Sequence, residues 1–483
     1  MAGLSAAACV AQQGHEVTLL EKNSTIGGRA RQFETDGFKF DMGPSWYWMP
    51  EVFEKFFNRF GHTSSDFYEL KRLDPSFRMY FGQDDFLDIP SDYEDLKDLF
   101  EREEKGGGSK LDKFMSSAKF KYDVGMSELV YRPSLSIFEY FNWNVLTGSF
   151  KLQLLKDFKS YVKGYFKNPR LQVLMEFPVL FLGAQPKNTP ALYSLMNYAG
   201  LKLGTYYPSG GFVQVAEAMA SIASKLNVEI RTNESVEQID VQSNEVQRII
   251  TNHSEYEADV CIASADYHHI EQNLLAQRDR TYDEKYWNSR VFAPSCLIFY
   301  LGLDNKLPEL EHHNLFFDES LDDHAKEIYE TKLWPDRPLF YVCCPSKSDE
   351  TVAPQGKENV FILMPISIGL EDTESKRDYY FDLIMQRMGK IIGRDIRESI
   401  IYKRSYCISD FVFDYNAFKG NGYGLANTLM QTGIFKPRMV HKKVKNLFYA
   451  GQLTAPGPGV PPSIISGQVA ADLTKKYLKN QTR

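Results

Sequence analysis

Three clusters in the chain hold residues whose types and spacing suit an anionic, partly aromatic ligand. In the first, Gly3 opens a run of small residues, Leu4-Ser5-Ala6-Ala7-Ala8-Cys9-Val10-Ala11. Gly14-His15 then turns into Glu16-Val17-Thr18-Leu19-Leu20, which ends on Glu21. A helix that starts on a glycine directs backbone N–H groups and a positive dipole end at a phosphate. A carboxylate closing the next strand accepts hydrogen bonds from ribose hydroxyls. Glu21 follows Gly3 by 18 residues, against the roughly 20 expected between a phosphate loop and its ribose acid. In the second cluster, Gly27-Gly28-Arg29 sets a cation beside two glycines. The third lies near the other end of the chain. There Asn446 to Gln452 reads as a strand running into Gly451. Thr454-Ala455-Pro456-Gly457-Pro458-Gly459-Val460-Pro461-Pro462-Ser463 then leads into a helix from Ile464 to Tyr477. Such a loop offers N–H groups to a phosphate or to the electron-rich edge of a reduced ring. A plain surface turn is the other reading.

These residues need a frame to hold them. A helix beside a strand that ends in an acid is the back half of a Rossmann βαβ unit. The full G-x-G-x-x-G fingerprint follows a first strand, and here only its third glycine is present, as Gly3. The expectation is a Rossmann-type α/β domain whose first strand, about 5–6 residues, and two phosphate-loop glycines are missing. Met1 is then internal to a longer protein; a true start with a merely similar helix is the alternative. Further on, the helix Val213 to Leu226, the strand Val228-Glu229-Ile230-Arg231, the arms Val236 to Ile239 and Val246 to Ile250, and the strand Ala258 to Ala263 return to the same sheet. Between them, Phe33 to Phe40 and Phe77 to Pro90 read as hairpins, Tyr93 to Lys105 as a charged helix, and Gly106-Gly107-Gly108-Ser109 as a flexible loop. From about residue 290 to 440 strands recur at Leu297 to Tyr300, Leu339 to Val342 and Val360 to Leu363, with a helix around Tyr379 to Ile392.

Bulk properties narrow the function. At 483 residues the chain has room for about two or three domains. A net charge of −7 and a pI of about 5.8 argue against a nucleic-acid partner. With 34 Phe and 28 Tyr, the chain is rich enough in aromatics for a large apolar ligand besides a core. The six cysteines show no C-x-x-C spacing and no disulfide framework, which points to a reducing, cytoplasmic compartment. No apolar run reaches the roughly 18 residues of a spanning helix. Residues 146–175 carry a local charge of +5. Lys156, Lys159, Lys163 and Lys167 follow helical spacing beside a stripe of Leu155, Phe158, Val162 and Phe166, until Asn168-Pro169 stops the helix. A segment lying on an anionic bilayer has this form, and so does a core helix with a solvated lysine face.

The joint order of several motifs resembles the bacterial-type phytoene desaturases, FAD-dependent carotenoid dehydrogenases within the amine-oxidase-like flavoproteins. The residues that carry the resemblance are Glu21 with Gly27-Gly28-Arg29, Asp41-Met42-Gly43-Pro44, Tyr207-Pro208-Ser209-Gly210-Gly211, Ala263-Ser264-Ala265-Asp266-Tyr267, and Gly451 with Pro456-Gly457-Pro458-Gly459-Val460-Pro461. Asn188-Thr189-Pro190-Ala191-Leu192-Tyr193 and Gln431-Thr432-Gly433 extend it over nearly the whole chain.

The resemblance implies roles for several residues. Gly3 and its helix face the FAD pyrophosphate, Glu21 holds the adenosine ribose, and Arg29 contacts phosphate, with Gly27 and Gly28 allowing close approach. Val236 meets the adenine through its backbone. Gly43-Pro44 and Gly459-Val460 line the isoalloxazine. Gly451 ends the C-terminal strand, and Gln452 stands where family members often carry an acid or a small residue, so a charged flavin contact is not expected there. No metal is implied, and His268-His269 and His312-His313 read as core or surface pairs. No residue is marked out as catalytic.

The resemblance also divides the chain. A discontinuous FAD-binding domain takes residues 1–50, 205–290 and 440–483. An inserted α+β substrate domain takes 51–204 and 291–439, with a membrane-associating part near 146–185. The implied reaction inserts C=C bonds into a C40 polyene, phytoene towards lycopene, by hydride transfer to flavin, with quinone or oxygen as final acceptor. It places the protein in the cytoplasm, on the inner face of the cell membrane. A desaturase of a later carotenoid, a carotenoid isomerase and a flavin-less prenyl carrier are the alternatives. With an inner strand missing, weak flavin retention is expected.

Overall fold

A computed structural model describes residues 1–140 and 152–481. The helix Ala2–Ala11 is buried along nearly its whole length, because alanine and serine let neighbouring backbones approach it from several sides. It packs against the last helix, Val460–Gln481, and against the helix Val213–Lys225. With strands numbered in chain order, β1 (Thr18–Leu20) pairs in parallel with β8 (Glu229–Arg231), and β12 (Cys261–Ala263) with β18 (Leu447–Tyr449). The outer edges of β1 and β12 have no strand partner among the described residues. A meander of β9 (Val236–Gln242), β10 (Glu245–Thr251) and β11 (Glu255–Glu257) lies between β8 and β12 in the chain.

Two small antiparallel pairs follow the expected patterns. β2 (Gln32–Thr35) and β3 (Phe38–Asp41) form the hairpin read from Phe33 and Phe40, and β4 (Leu70–Arg72) pairs with β7 (Tyr206–Pro208). The largest sheet has seven strands in the order β17-β13-β16-β15-β14-β5-β6. Its members are β5 (Phe77–Gly82), β6 (Asp85–Ile89), β13 (Ser295–Leu303), β14 (His313–Phe316), β15 (Phe340–Cys343), β16 (Glu358–Ile366) and β17 (Ile400–Tyr406). Only the β14·β5 contact is parallel. β13 is buried on both faces, which explains its unbroken apolar run. Leu297, Phe299 and Leu301 pack with Ile384, Met385 and Met388 of the helix Glu374–Ile392, while Ile298 and Tyr300 enter the larger core on the other side. Each such side chain contributes about 1.5–3 kcal/mol on burial.

Two expectations are corrected. Gly107 and Gly108 are not loop but the first turn of the helix Gly107–Val124. A Cβ at Gly107 would lie 2.0 Å from the carbonyl oxygen of Phe100, so glycine marks the close approach of two helix ends rather than flexibility. The lysine-bearing segment is also different. A short helix, Phe158–Lys163, precedes the helix Pro169–Glu176, whose first turn Asn168 caps by accepting from the Arg170 amide at 2.8 Å. Phe158, Val162 and Phe166 are buried in the core and only Leu155 is exposed. The stripe therefore covers the protein interior, not a bilayer, and Lys159 pairs with Asp322. Residues 146–151 of that expectation lie outside the described residues.

Candidate functional site

A cavity of about 1050 Å³ is bounded by residues of β1, β12, β13, β14, β15 and β16. Gly3, Glu21, Gly27, Gly28, Arg29, Gly43, Pro44, Val236, Gly451, Gln452, Gly459 and Val460 all line it. They come from the first helix, the end of β1, the two loops around β2 and β3, the start of β9, and the chain on either side of the C-terminal loop. The sequence separates them by hundreds of residues, and the fold brings them to one cavity.

One end of the cavity is polar. Glu21 accepts from the Asn23 backbone at 2.9 Å and from its side-chain amide at 3.0 Å, both on the same oxygen, Oε1. Arg29 donates from Nη2 to the Asn421 carbonyl at 3.1 Å, and its guanidinium lies 4.7 Å from the Tyr415 ring centre. Its Nε is buried with no hydrogen-bond partner among the described residues, and desolvation lowers its pKa. An unpartnered N–H on a buried cation is a donor waiting for an anionic or strongly polar acceptor. The backbone around it is tightly arranged. A Cβ at Gly43 would lie 2.6 Å from the Arg29 carbonyl oxygen, so only glycine lets this loop pass there. Gln452 turns its amide to Asn421 Oδ1 at 3.2 Å, a neutral contact in place of a charged one.

The other end is apolar. Phe177, Leu180, Phe181, Leu315, Phe317, Leu321, Ile328 and Leu339 form its walls. Trp46 stands beside it, stacked on His313 with ring centres 4.1 Å apart. The sequence reading did not single out the polar groups that interrupt this surface: Ser45, His324, Tyr329, Tyr341 and Tyr423. Ser45 follows Pro44 in a loop; His324 and Tyr329 sit on consecutive helical segments, Tyr341 on β15 and Tyr423 in a loop, none within a motif. Burial pushes the phenols of Tyr329 and Tyr423 up and brings the His324 imidazole down to about 4. His312 and His313 are core residues, as expected of a buried pair, but with Cys343 they place ligand-type atoms within 4.8 Å of one another.

Comparison with known proteins decides the family. The model for flavin-containing amine oxidoreductases matches residues 1–474. The chain belongs to this family. Among individual relatives, the carotenoid 3,4-desaturase of Haloarcula japonica is 39% identical over 472 residues, covering 97% of this chain and 95% of that protein. A 4,4'-diapophytoene desaturase (4,4'-diaponeurosporene-forming) of Staphylococcus aureus is 30% identical over 484 residues, covering 97% and 96%. Solved structures share the fold at low identity. An oxidoreductase from Methanosarcina mazei superposes with a TM-score of 0.60 at 15% identity, covering 98% of both chains. A putrescine oxidase variant gives 0.61 at 12%, covering 98% of this chain and 97% of that one. The protein is an FAD-dependent oxidoreductase. The residues present suit that cofactor: a buried arginine N–H without an acceptor, a carboxylate at a strand end, and a glycine loop pressed against the arginine backbone. Among the described residues no helix is long and apolar enough to cross a membrane.

Proposed function

We propose that this oxidoreductase desaturates a C40 carotenoid precursor, phytoene towards lycopene. The observation that carries the reading is the continuity of the cavity, polar and glycine-lined at one end, aromatic and aliphatic at the other. In this reading Gly3 and the helix behind it, with Arg29, hold the FAD pyrophosphate, and Gly27 and Gly28 let the loop approach. Glu21 receives the ribose and Val236 meets the adenine. Gly43-Pro44, Gly451-Gln452 and Gly459-Val460 flank the isoalloxazine. Bound FAD supplies the hydride acceptor. The protein's own part is to align a polyene with the ring and keep water out, which the wall of Phe177, Phe181, Leu315 and Leu339 supports. Residues 1–50, 205–290 and 440–483 then form the cofactor domain, and 51–204 with 291–439 the substrate domain.

An apolar substrate of this size partitions into lipid, so the reading includes a membrane surface on the cytoplasmic side and quinone or oxygen as final acceptor. One patch supports the surface contact. Phe138, Met430 and Phe435 are exposed. Arg438 bonds to the Leu135 carbonyl at 3.3 Å, and the neighbouring Asn427 amide donates at 3.2 Å to Leu182, a cavity residue. These bonds tie the segments that carry the three side chains to each other and to a cavity residue.

A second reading is a desaturase of a later carotenoid, favoured by the name of the Haloarcula japonica relative. Purified protein with FAD, given phytoene in liposomes and analysed by pigment chromatography, separates the two. Lycopene or its partly desaturated precursors support the first. Conversion of a later carotenoid alone supports the second, and no conversion of either overturns both.

A further inference from the structure

Removing a hydride from one carbon of a polyene leaves a proton to be taken from its neighbour, and few groups at the apolar end can take it. His324 has both ring nitrogens committed to backbone, Nε2 donating to the Pro365 carbonyl at 2.9 Å and Nδ1 accepting from the Leu339 amide at 3.0 Å. Beside Tyr423 stands the Cys296 thiol, itself pushed up to about 12 by burial and no base. His269 is at the far, nucleotide-side end, where both its nitrogens meet asparagine amides.

Tyr341 is different. It lines the cavity with Ser45, and its hydroxyl lies 2.9 Å from Ser45 Oγ and 2.7 Å from Nδ1 of His313. His313 is 0% exposed, and its Nε2 has no hydrogen-bond partner among the described residues. Burial holds its pKa well below the usual value, so the ring is neutral. A neutral imidazole receiving a hydrogen bond at Nδ1 from a phenol is a base poised behind that phenol. A way out exists as well. The ring of His312 is 4.5 Å from that of His313, and its Nδ1 lies 2.9 Å from Oγ of Ser348, a partly exposed residue. Ser45 and His312 also border a second cavity of about 20 Å³, enough for roughly one water.

We infer that Tyr341 and His313 form the proton-accepting chain of the desaturation, with Ser45 holding the phenol in place, a step that rests on the carotenoid reading above. Bound FAD would supply the two-electron oxidant, the acceptor for the hydride of the adjacent carbon. As the C–H bond breaks, its electron pair enters the new C=C bond and the proton passes to Oη of Tyr341. Tyr341 gives its own proton to Nδ1 of His313, and because burial disfavours the imidazolium, His313 gives up its Nε2 proton towards a water in the small cavity bordered by His312. Tyr341 is the catalytic residue of the chain, and His313 acts through it.

The test uses the FAD-loaded protein with phytoene in liposomes. Tyr341→Phe and His313→Phe, the second keeping a flat ring on Trp46, are expected to lower kcat by about 100-fold, with KM and FAD content unchanged. They also lose the solvent deuterium isotope effect of the parent enzyme. Independently of turnover, ¹⁵N spectra of histidine-labelled resting protein should show His313 as the neutral Nε2–H tautomer, with its Nδ1 signal moved by Tyr341→Phe. If Tyr341→Phe fails to fold, Ser45→Ala removes only the hydroxyl that holds the phenol and is expected to cut kcat with KM unchanged. Full kcat in folded variants of an active parent overturns the chain and leaves the desaturation reading standing. A parent inactive on phytoene and on later carotenoids overturns both.

Discussion

Gly467 of the last helix runs so close to the first helix that a Cβ there would lie 2.4 Å from the carbonyl oxygen of Ala2 and 2.6 Å from Cβ of Ser5. Neither neighbour is the free end of a flexible side chain. The contact joins helices far apart in the chain, and Ala2 and Gly3 of the same helix line the cavity. Gly467→Ala is expected to lower stability by about 1–3 kcal/mol, read as a fall in the urea midpoint. An unchanged midpoint would mean that the two helices separate at little cost.

Glu21 and Arg29 are expected to act on cofactor affinity more than on stability. Hydrogen bonds to charged groups contribute about 1.5–3 kcal/mol. Glu21→Ala and Arg29→Ala should therefore each weaken FAD binding by roughly 10- to 100-fold, measured by titrating apoprotein and following flavin fluorescence. Wild-type affinity in both would remove these residues from the cofactor site.

Asp41 should make stability fall as pH rises. Its Oδ2 accepts from the Phe212 amide at 2.9 Å and its Oδ1 from Gln32 at 3.1 Å, yet burial pushes its carboxyl up to about 7 from 3.8. The unfolded chain loses this proton first. Between these two values the native state holds more protons than the unfolded one, so the Asp41 contribution is fully present below the lower value and lost as pH climbs through the higher. Denaturation midpoints of wild type and Asp41→Asn, compared from about pH 4 to pH 8, should show a smaller decline in the variant. Parallel curves would contradict this.

Lipid binding should follow Phe138, Met430 and Phe435 rather than the lysines of the 156–167 segment. Replacing the three by serine is expected to lower liposome co-sedimentation several-fold, since each exposed large apolar side chain offers about 1.5–3 kcal/mol on burial. Lys163→Ala and Lys167→Ala should leave it nearly unchanged. The reverse result would return the contact to the basic segment.

The lysine segment also shows what the sequence could and could not convey. Spacing of Phe158 and Val162 indicated a helical turn with one apolar side, but the helix ends at Lys163 and Phe166 lies beyond it. Spacing carries no information on what covers that side, and here it is the protein's own core. Hairpins such as Phe33 to Phe40 were legible because alternation and a glycine turn are local properties. Glycines and Glu21 could be singled out because a nucleotide site demands backbone shape at fixed intervals, and they do line one cavity. Ser45, His313 and Tyr341 could not, because their contact is made by sheet pairing between β14 and β15 and by a loop packed across it. No periodicity links three such distant positions.

The pairing of Ile262 with Phe448, and of Leu19 with Ile230, has a consequence for how the protein is made. During synthesis the first helix leaves the ribosome with most of its apolar surface uncovered, and its last packing partner is translated more than four hundred residues later. The walls of the cavity cannot meet until the chain beyond Phe448 has emerged. A cofactor held by both walls can bind only once both have been made, and an uncovered apolar helix is exposed to aggregation until then.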